Sequence, residues 1–323
     1  MATIKDIADE VGISKTAVSR ILNHKGSFSQ ETILKVERVA KRLNYTSPGM
    51  QRESGDSRKT IACVLPLGRA YYGMLAAYLE EAAYNYGYSL LLCSSAYDNE
   101  EIDEFLGGLR ECSVSGLIFG SISARPDDLA SSGFPVVAVG HRLADEVPYV
   151  HADNYAAGQI AARHLVGRGV KKPLYISNYP DGLVADERYR GFCEELERAD
   201  IMAWPYILDK DSVKAEGTSE IITRMILDHP DADGIFAESQ SLAVACLGVY
   251  SDLGYRIPSQ AKLIGYGSDA INAYTMPRMT IVKENTWQIA SEAVSVLADL
   301  IEKGSAARKD VSVAVSLEQR QTT

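Results

Sequence analysis

"SKTAVSRILN", residues 14–23, divides into two faces when it is wound as a helix. At about 100° per residue, Lys15, Thr16, Ser19, Arg20 and Asn23 fall within an arc of roughly 140°. Ala17, Val18, Ile21 and Leu22 take the opposite arc. Ser14 is a good N-cap, because its hydroxyl accepts from an unpaired amide of the first turn. One arc is made to pack on a small core. The other turns two cations and three hydrogen-bonding groups outward, toward a partner.

The flanking residues identify that partner. Upstream, Ile4, Ile7, Ala8 and Val11 give an amphipathic helix, with Thr3 as its cap and Asp6 three residues on, a capping-box pattern. Gly12 breaks it, and only Val11-Gly12-Ile13 separates it from Ser14. Downstream, Ile33, Val36, Ala40 and Leu43 repeat at helical spacing, so a third helix is expected from about Ser29 to Leu43. Helix, short Gly-containing turn, helix is the helix-turn-helix arrangement, whose second helix enters the major groove of DNA. Lys15, Thr16, Ser19, Arg20 and Asn23 are therefore expected to face DNA, while Val18 and Leu22 hold the helix on its module.

Charge agrees once the chain is divided. The 323 residues carry a net charge of −10, which speaks against a polyanion partner for the whole. Residues 1–60, however, hold 11 Lys+Arg and 7 Asp+Glu, a net of +4, while the remainder holds 22 and 36, a net of −14. A small polyanion-binding module on an acidic body fits this asymmetry. The five cysteines, Cys63, Cys93, Cys112, Cys193 and Cys246, form no CxxC and no Cys/His cluster. Neither a zinc site nor a disulfide framework is expected, and the cysteines read as reduced core residues. No run approaches the ~20 apolar residues of a membrane span. The N-terminus lacks the basic-then-apolar pattern of a signal peptide, so a cytoplasmic protein is expected.

Residues 46–60, TSPGMQRESGDSRKT, contain Pro48 and Gly49 and have linker composition. From Thr60 short apolar runs alternate with amphipathic segments. Candidate strands are 61–66, 89–94, 116–120, 135–139, 173–177, 234–237 and 262–266. Helices are expected at 73–86, 154–167, 186–199 and 240–253. Repeated strand-helix units imply a doubly wound α/β fold with parallel sheet, and about 260 residues of it imply two lobes.

IKDIADEVGISKTAVSRILN followed by SQETILKVERVAKRLNY resembles the head-piece of the lactose-repressor (LacI/GalR) family of transcription regulators. The likeness continues through TIACVLP, HADNYAAGQIAARHLVGRG, RYRGF, KLIGYGSD and PRMTIVKEN. It implies a DNA-binding head-piece at 1–46, a hinge at 47–59 and a body at 60–323 similar to a periplasmic sugar-binding protein. The first lobe would comprise about 60–156 and 286–313, the second 157–285 and 314–323. The resemblance adds Thr3, Ser14, Ala17, Ser27, Tyr45 and Met50 to the DNA-contacting set. Met50 is the apolar candidate for the hinge, because Ser54 stands where the family carries a leucine that wedges into the minor groove.

In an open α/β lobe, ligands sit at the carboxyl ends of the strands. By resemblance, the effector site there would comprise Leu67, Arg69, Tyr71, Tyr72, His141, Arg188, Gln240, Gly267 and Glu284. Arg188 matches the family arginine that holds sugar hydroxyls. Gly140 and Gly267 replace two family aspartates, Ser239-Gln240 stand for an asparagine-aspartate pair, and Glu284 for a glutamine. The implied protein is a homodimeric repressor of carbohydrate-utilisation genes, bound to palindromic double-stranded operator DNA and governed by a sugar, with no cofactor, metal or membrane partner. Three other readings stand beside it: a regulator answering to a non-sugar molecule, corepressor or protein partner, an enzyme on the same scaffold, and a pure binding protein such as a solute receptor, against which the head-piece speaks. Against the enzyme, the chain holds no GxGxxG after a strand, no GxxxxGK[ST] and no GxSxG.

Overall fold

The computed structural model describes residues 4–22, 28, 32, 35–36, 39, 42, 59–67, 70–94, 102–120, 132–177, 183–208, 217–268 and 274–323. The chain divides after Arg58 into a small helical unit and a large α/β unit. In the small unit, helix α1 (Ile4–Val11) ends where the amides of Gly12 and Ile13 both donate to the Ala8 carbonyl, at 2.9 and 3.2 Å. Gly12 turns at φ +79°. Helix α2 (Lys15–Leu22) starts two residues later, its Ser14 hydroxyl accepting from the Ala17 amide at 3.1 Å. The Ser14 cap is thus present. Thr32, Lys35, Val36, Val39 and Arg42 are helical as well, and Arg42 pairs with Glu10 of α1.

Ile7, Ala8, Val11, Val18, Ile21, Val36 and Val39 form this unit's core, edged by Ile4, Ile13 and Phe28. Ile7, Val18 and Val36 are fully buried. Each contributes about 1.5–3 kcal/mol over an exposed side chain. Val18 therefore does hold α2, joined by Ile21. The Thr3 cap, Asn23, Ser27, Ile33, Ala40, Leu43, Tyr45, Met50, Ser54 and the side chain of Leu22 lie outside the described residues.

The large unit contains two six-stranded sheets. Its elements run β1 (Lys59–Leu65), α3 (Ala70–Asn85), β2 (Tyr88–Ser94), α4 (Ile102–Glu111), β3 (Val114–Phe119), β4 (Val136–Val139) and β5 (Tyr149–Ala152). Next come α5 (Asn154–Gly167), β6 (Pro173–Ser177), α6 (Leu183–Glu197), β7 (Trp204–Ile207), α7 (Thr218–Asp228), β8 (Gly234–Ala237) and α8 (Gln240–Asp252). The last are β9 (Lys262–Gly267), β10 (Thr280–Lys283), α9 (Thr286–Lys303), β11 (Asp310–Val313) and β12 (Ser316–Glu318).

The first sheet has the order β11-β5-β4-β3-β1-β2 and the second β12-β10-β9-β8-β6-β7. Every pairing is parallel except that of β10 with the short edge strand β12. The chain passes between the sheets after β5, after β10 and after β11. Side chains alternate across each sheet, as strand geometry requires. In β1, Ile61, Cys63 and Leu65 face one core with α3 and α9, while Ala62 and Val64 face another with α4. In the second sheet, Tyr175, Phe236, Ile264 and Val282 meet α5 and α6, and Leu174, Ile176, Ile235 and Leu263 meet α7 and α8. The core beneath α3 and α9 is continuous with the core beneath α5 and α6, so apolar packing itself joins the two sheets.

Two expectations need adjusting. Only Cys63 and Cys246 are buried; Cys93 and Cys193 are half-buried and Cys112 is exposed, so the cysteines are free but not all core. Strands β5, β7, β10, β11 and β12 were not among the expected ones; unlike the equally short VVAV of β4 and GIFA of β8, they are interrupted or bounded by polar residues or proline, so no apolar run stands out. Among the described residues no helix is long and apolar enough to cross a membrane.

Candidate functional site

On α2, Ser14, Lys15, Thr16 and Arg20 are exposed and Ala17 and Ser19 partly buried, while Val18 and Ile21 face the core. The amphipathic division of the opening decapeptide is thus realised in three dimensions. Lys15 and Arg20 project from the solvent arc of a helix that is anchored by its opposite face. Such an arc suits phosphates and base edges: charged groups and a hydroxyl on a rigid element, with the apolar side chains committed elsewhere.

The second candidate site lies where the chain crosses between the sheets. It is built on one close approach of helices. A Cβ on Gly158 of α5 would overlap the Arg188 carbonyl oxygen and come within 2.6 Å of the Phe192 amide; one on Gly191 of α6 would overlap the Tyr155 carbonyl oxygen. Glycine at both positions lets the helices touch backbone to backbone. That contact sets Arg188, 4% exposed, beside Asn154 at the start of α5. Arg188 Nε and Nη2 donate to Asn154 Oδ1 at 3.3 and 2.7 Å. Nη1 donates to the Glu238 carbonyl and lies 3.8 Å from its carboxylate.

The guanidinium also lies over Tyr266, 3.5 Å from the ring centroid, within the range of a cation–π contact. Tyr266 Oη donates to Glu284 Oε2 at 2.8 Å, and Thr286 Oγ1 donates to Glu284 Oε1 at 3.1 Å. Tyr71, from the first turn of α3, neighbours the same carboxyl. One chain of contacts therefore links α6, β9, the β10–α9 crossing and α3. Burial raises the Glu284 carboxyl above its ordinary range, opposed by the bonds from Tyr266 and Thr286 and by the charge of Arg188. Burial, and then the charge of Glu284, pushes the phenols of Tyr71 and Tyr266 well above theirs.

Of the expected effector residues, Tyr71, Arg188 and Glu284 meet in this network. Tyr72 packs edge-on to Tyr71, centroids 5.0 Å apart, and Leu67 lies with both against the core joining the sheets. Gln240 and Gly267 form a separate pair: Gln240 Nε2 donates to the Ser268 carbonyl at 3.0 Å, and a Cβ on Gly267 would lie 3.3 Å from that of Gln240. His141 lies at the end of β4, partly exposed, after Gly140, whose carbonyl accepts from Tyr149 Oη at 3.2 Å. Arg69 lies outside the described residues.

Asn154, Glu238, Tyr266 and Thr286 escaped the sequence reading. Glu238 is the instructive case. It follows β8 directly, at a strand's carboxyl end, one residue before the Ser239-Gln240 pair that the resemblance singles out. Ser239 is instead the N-cap of α8, accepting from the Leu242 amide.

Residues 3–47 match the family described as bacterial regulatory proteins, lacI family, and residues 162–323 match the periplasmic binding protein-like domain. The chain is similar to the sucrose operon repressor of Streptococcus mutans serotype c, 30% identical over 94% of this chain and 93% of that one. It is similar to the ribose operon repressor of Halalkalibacterium halodurans, 27% identical over 100% and 97%. Among solved structures it is similar to a periplasmic binding protein/LacI transcriptional regulator from Alkaliphilus metalliredigens complexed with D-xylulofuranose. That likeness has a TM-score of 0.72 and 26% identity, over 82% of this chain and 99% of that one.

Proposed function

Because the chain belongs to the lacI family of bacterial regulatory proteins, we propose that it is a sequence-specific DNA-binding repressor of carbohydrate-utilisation genes. Its hold on the operator answers to a small sugar bound between the two sheets of the body. The observation that carries the DNA half is the exposed arc of Lys15, Thr16 and Arg20, opposite the buried Val18 and Ile21. For the sugar half it is the buried set of Arg188, Asn154, Glu238 and Glu284 with Tyr71 and Tyr266, joining both sheets. A polyol needs paired donors and acceptors and an aromatic face, and this set supplies them. Relatives named for sucrose and ribose operons support the same class.

The working form is a homodimer on a palindromic operator in the cytoplasm. One head-piece buries too little surface for tight specific binding, and two related by a two-fold axis call for an inverted repeat. Strands β2 and β7 each form one edge of their sheets. Exposed Tyr84, Tyr86 and Leu92 lie at or near one, and Met202, Trp204 and Ile207 at the other, which suits a self-complementary interface.

The test is selection of bound fragments from a genomic library, followed by challenge of the selected complexes with a panel of mono- and disaccharides. Recovery of an inverted repeat whose complex one sugar loosens or tightens is the expected result. Binding with no sequence preference would overturn the repressor reading, and indifference to every sugar would return the effector to another chemical class.

A further inference from the structure

We infer that Glu238, through its ion pair with Arg188, makes the site between the sheets select an uncharged ligand and reject the phosphorylated or acidic form of the same sugar. This rests on the reading of that site as an effector pocket. Arg188 is the one cation among the described residues of the network, and its charge is already matched. Glu238 is 4% exposed, its carboxylate 3.8 Å from Nη1 and its carbonyl accepting from the same nitrogen. Nε and Nη2 are committed to Asn154 at 3.3 and 2.7 Å, and one face of the guanidinium is covered by Tyr266. The next ionisable group along the chain of contacts is a second carboxyl, Glu284, 5% exposed.

An anion entering here has two courses. It can draw the guanidinium away, which breaks the buried Arg188–Glu238 ion pair, a strongly unfavourable outcome. Otherwise it must lie near two carboxyl groups, with no second cation among the described residues of the network. A neutral polyol meets neither penalty. Its hydroxyls can donate to the carboxyl oxygens and accept the remaining guanidinium N–H groups, and the Arg188–Glu238 pair persists. Specificity then arises from a repulsive element as much as from an attractive one.

The experiment uses the full chain and two probes. Calorimetry with matched sets, each a sugar, its 6-phosphate and its aldonic acid, should find the neutral member binding about tenfold or more tightly than its anionic partners. Thermal melts with inorganic phosphate against chloride at equal ionic strength should show no phosphate-specific rise for the parent. Glu238→Gln should gain a saturable rise, and adding Arg188→Gln should remove it, which separates the site from any phosphate held by the head-piece. A parent that binds a sugar phosphate as tightly as the free sugar overturns the inference. So does a parent stabilised by phosphate through Arg188, or a folded Glu238→Gln chain indifferent to phosphate. Should no sugar bind while the phosphate series behaves as described, charge selection stands and the sugar reading falls. If Glu238→Gln does not fold, the parent measurements decide alone.

Discussion

Gly158 of α5 lies against the backbone of Arg188 on α6, so closely that a Cβ there would overlap the arginine's carbonyl oxygen. The residue proposed to hold the effector is therefore positioned by the packing of two helices and not by a loop. Gly158→Ala must push α5 and α6 apart, and overpacking of this kind costs about 1–3 kcal/mol, sometimes more. Urea unfolding should show that loss together with a weakened response to whichever sugar the panel identifies. A variant within about 0.5 kcal/mol of the parent would mean that the helices give way easily.

Thr16 and Arg20 share the exposed arc of α2 but should behave differently. Thr16, in the first turn, is expected to read a base edge, so its replacement should cost roughly 1–3 kcal/mol at one operator position and relax preference there. Arg20, in the last turn, is expected to meet phosphate. Arg20→Ala should weaken all sequences alike and flatten the salt dependence of binding by about one unit. Fluorescence anisotropy across a salt series measures both, and an Arg20→Ala protein with unchanged affinity and slope removes the assignment.

The two sites differ in how far sequence reveals them. The head-piece is local: Ser14, Gly12 and the Val18/Ile21 stripe act over three or four residues, so caps, turn and buried face can all be read from spacing. The body's longer elements are equally legible, and the helix expected at 154–167 coincides with α5. The effector network is not local. Arg188, Glu238, Tyr266 and Glu284 come from four separate elements, and only the approach of α5 to α6 brings Arg188 to Asn154. Resemblance could place Arg188 and Glu284 one by one. It could not show that Arg188 is already paired, because Glu238 meets it through tertiary folding.

Glu284 should leave a pH signature on stability. Its carboxyl is raised in the folded protein above the ordinary 4.5, chiefly by burial. The folded state thus holds this proton more tightly than the unfolded state does. Its stabilising contribution is complete below about pH 4.5 and is lost as pH rises through the folded-state value. Glu284→Gln has no such term. The difference in melting temperature, variant minus parent, should therefore increase from about pH 4 to pH 7. A flat difference across that range would show that the carboxyl is not displaced.

Trp204 is 52% exposed on the open edge strand β7 and packs edge-on to His229, centroids 4.9 Å apart. If β7 takes part in the dimer interface, Trp204→Glu places a charge where a partner must exclude water. Sedimentation at micromolar concentration should then show a dimer for the parent and a monomer for the variant, with circular dichroism unchanged. Operator binding should fall steeply, because one head-piece cannot supply the affinity of two. A variant that remains dimeric would move the interface elsewhere on the body.

Tyr71 neighbours Glu284, and so sets α3, beneath the first sheet, against the crossing that leaves the second. A sugar can change operator affinity only if it binds one arrangement of the lobes better than another, since equal affinity shifts nothing. We expect a coupling of about 1–3 kcal/mol, a change of roughly 5- to 150-fold in operator affinity. By linkage, operator DNA must change sugar affinity by the same factor. Tyr71→Phe keeps the ring but removes the hydroxyl, so the sugar should still bind while the coupling shrinks by about 0.5–1.5 kcal/mol, the net worth of one hydrogen bond. Four titrations on parent and variant, sugar with and without operator and operator with and without sugar, give both numbers. If Tyr71→Phe leaves the coupling intact, the signal reaches the first sheet by another route, and the shared apolar core beneath α3 and α5 is where to look for it.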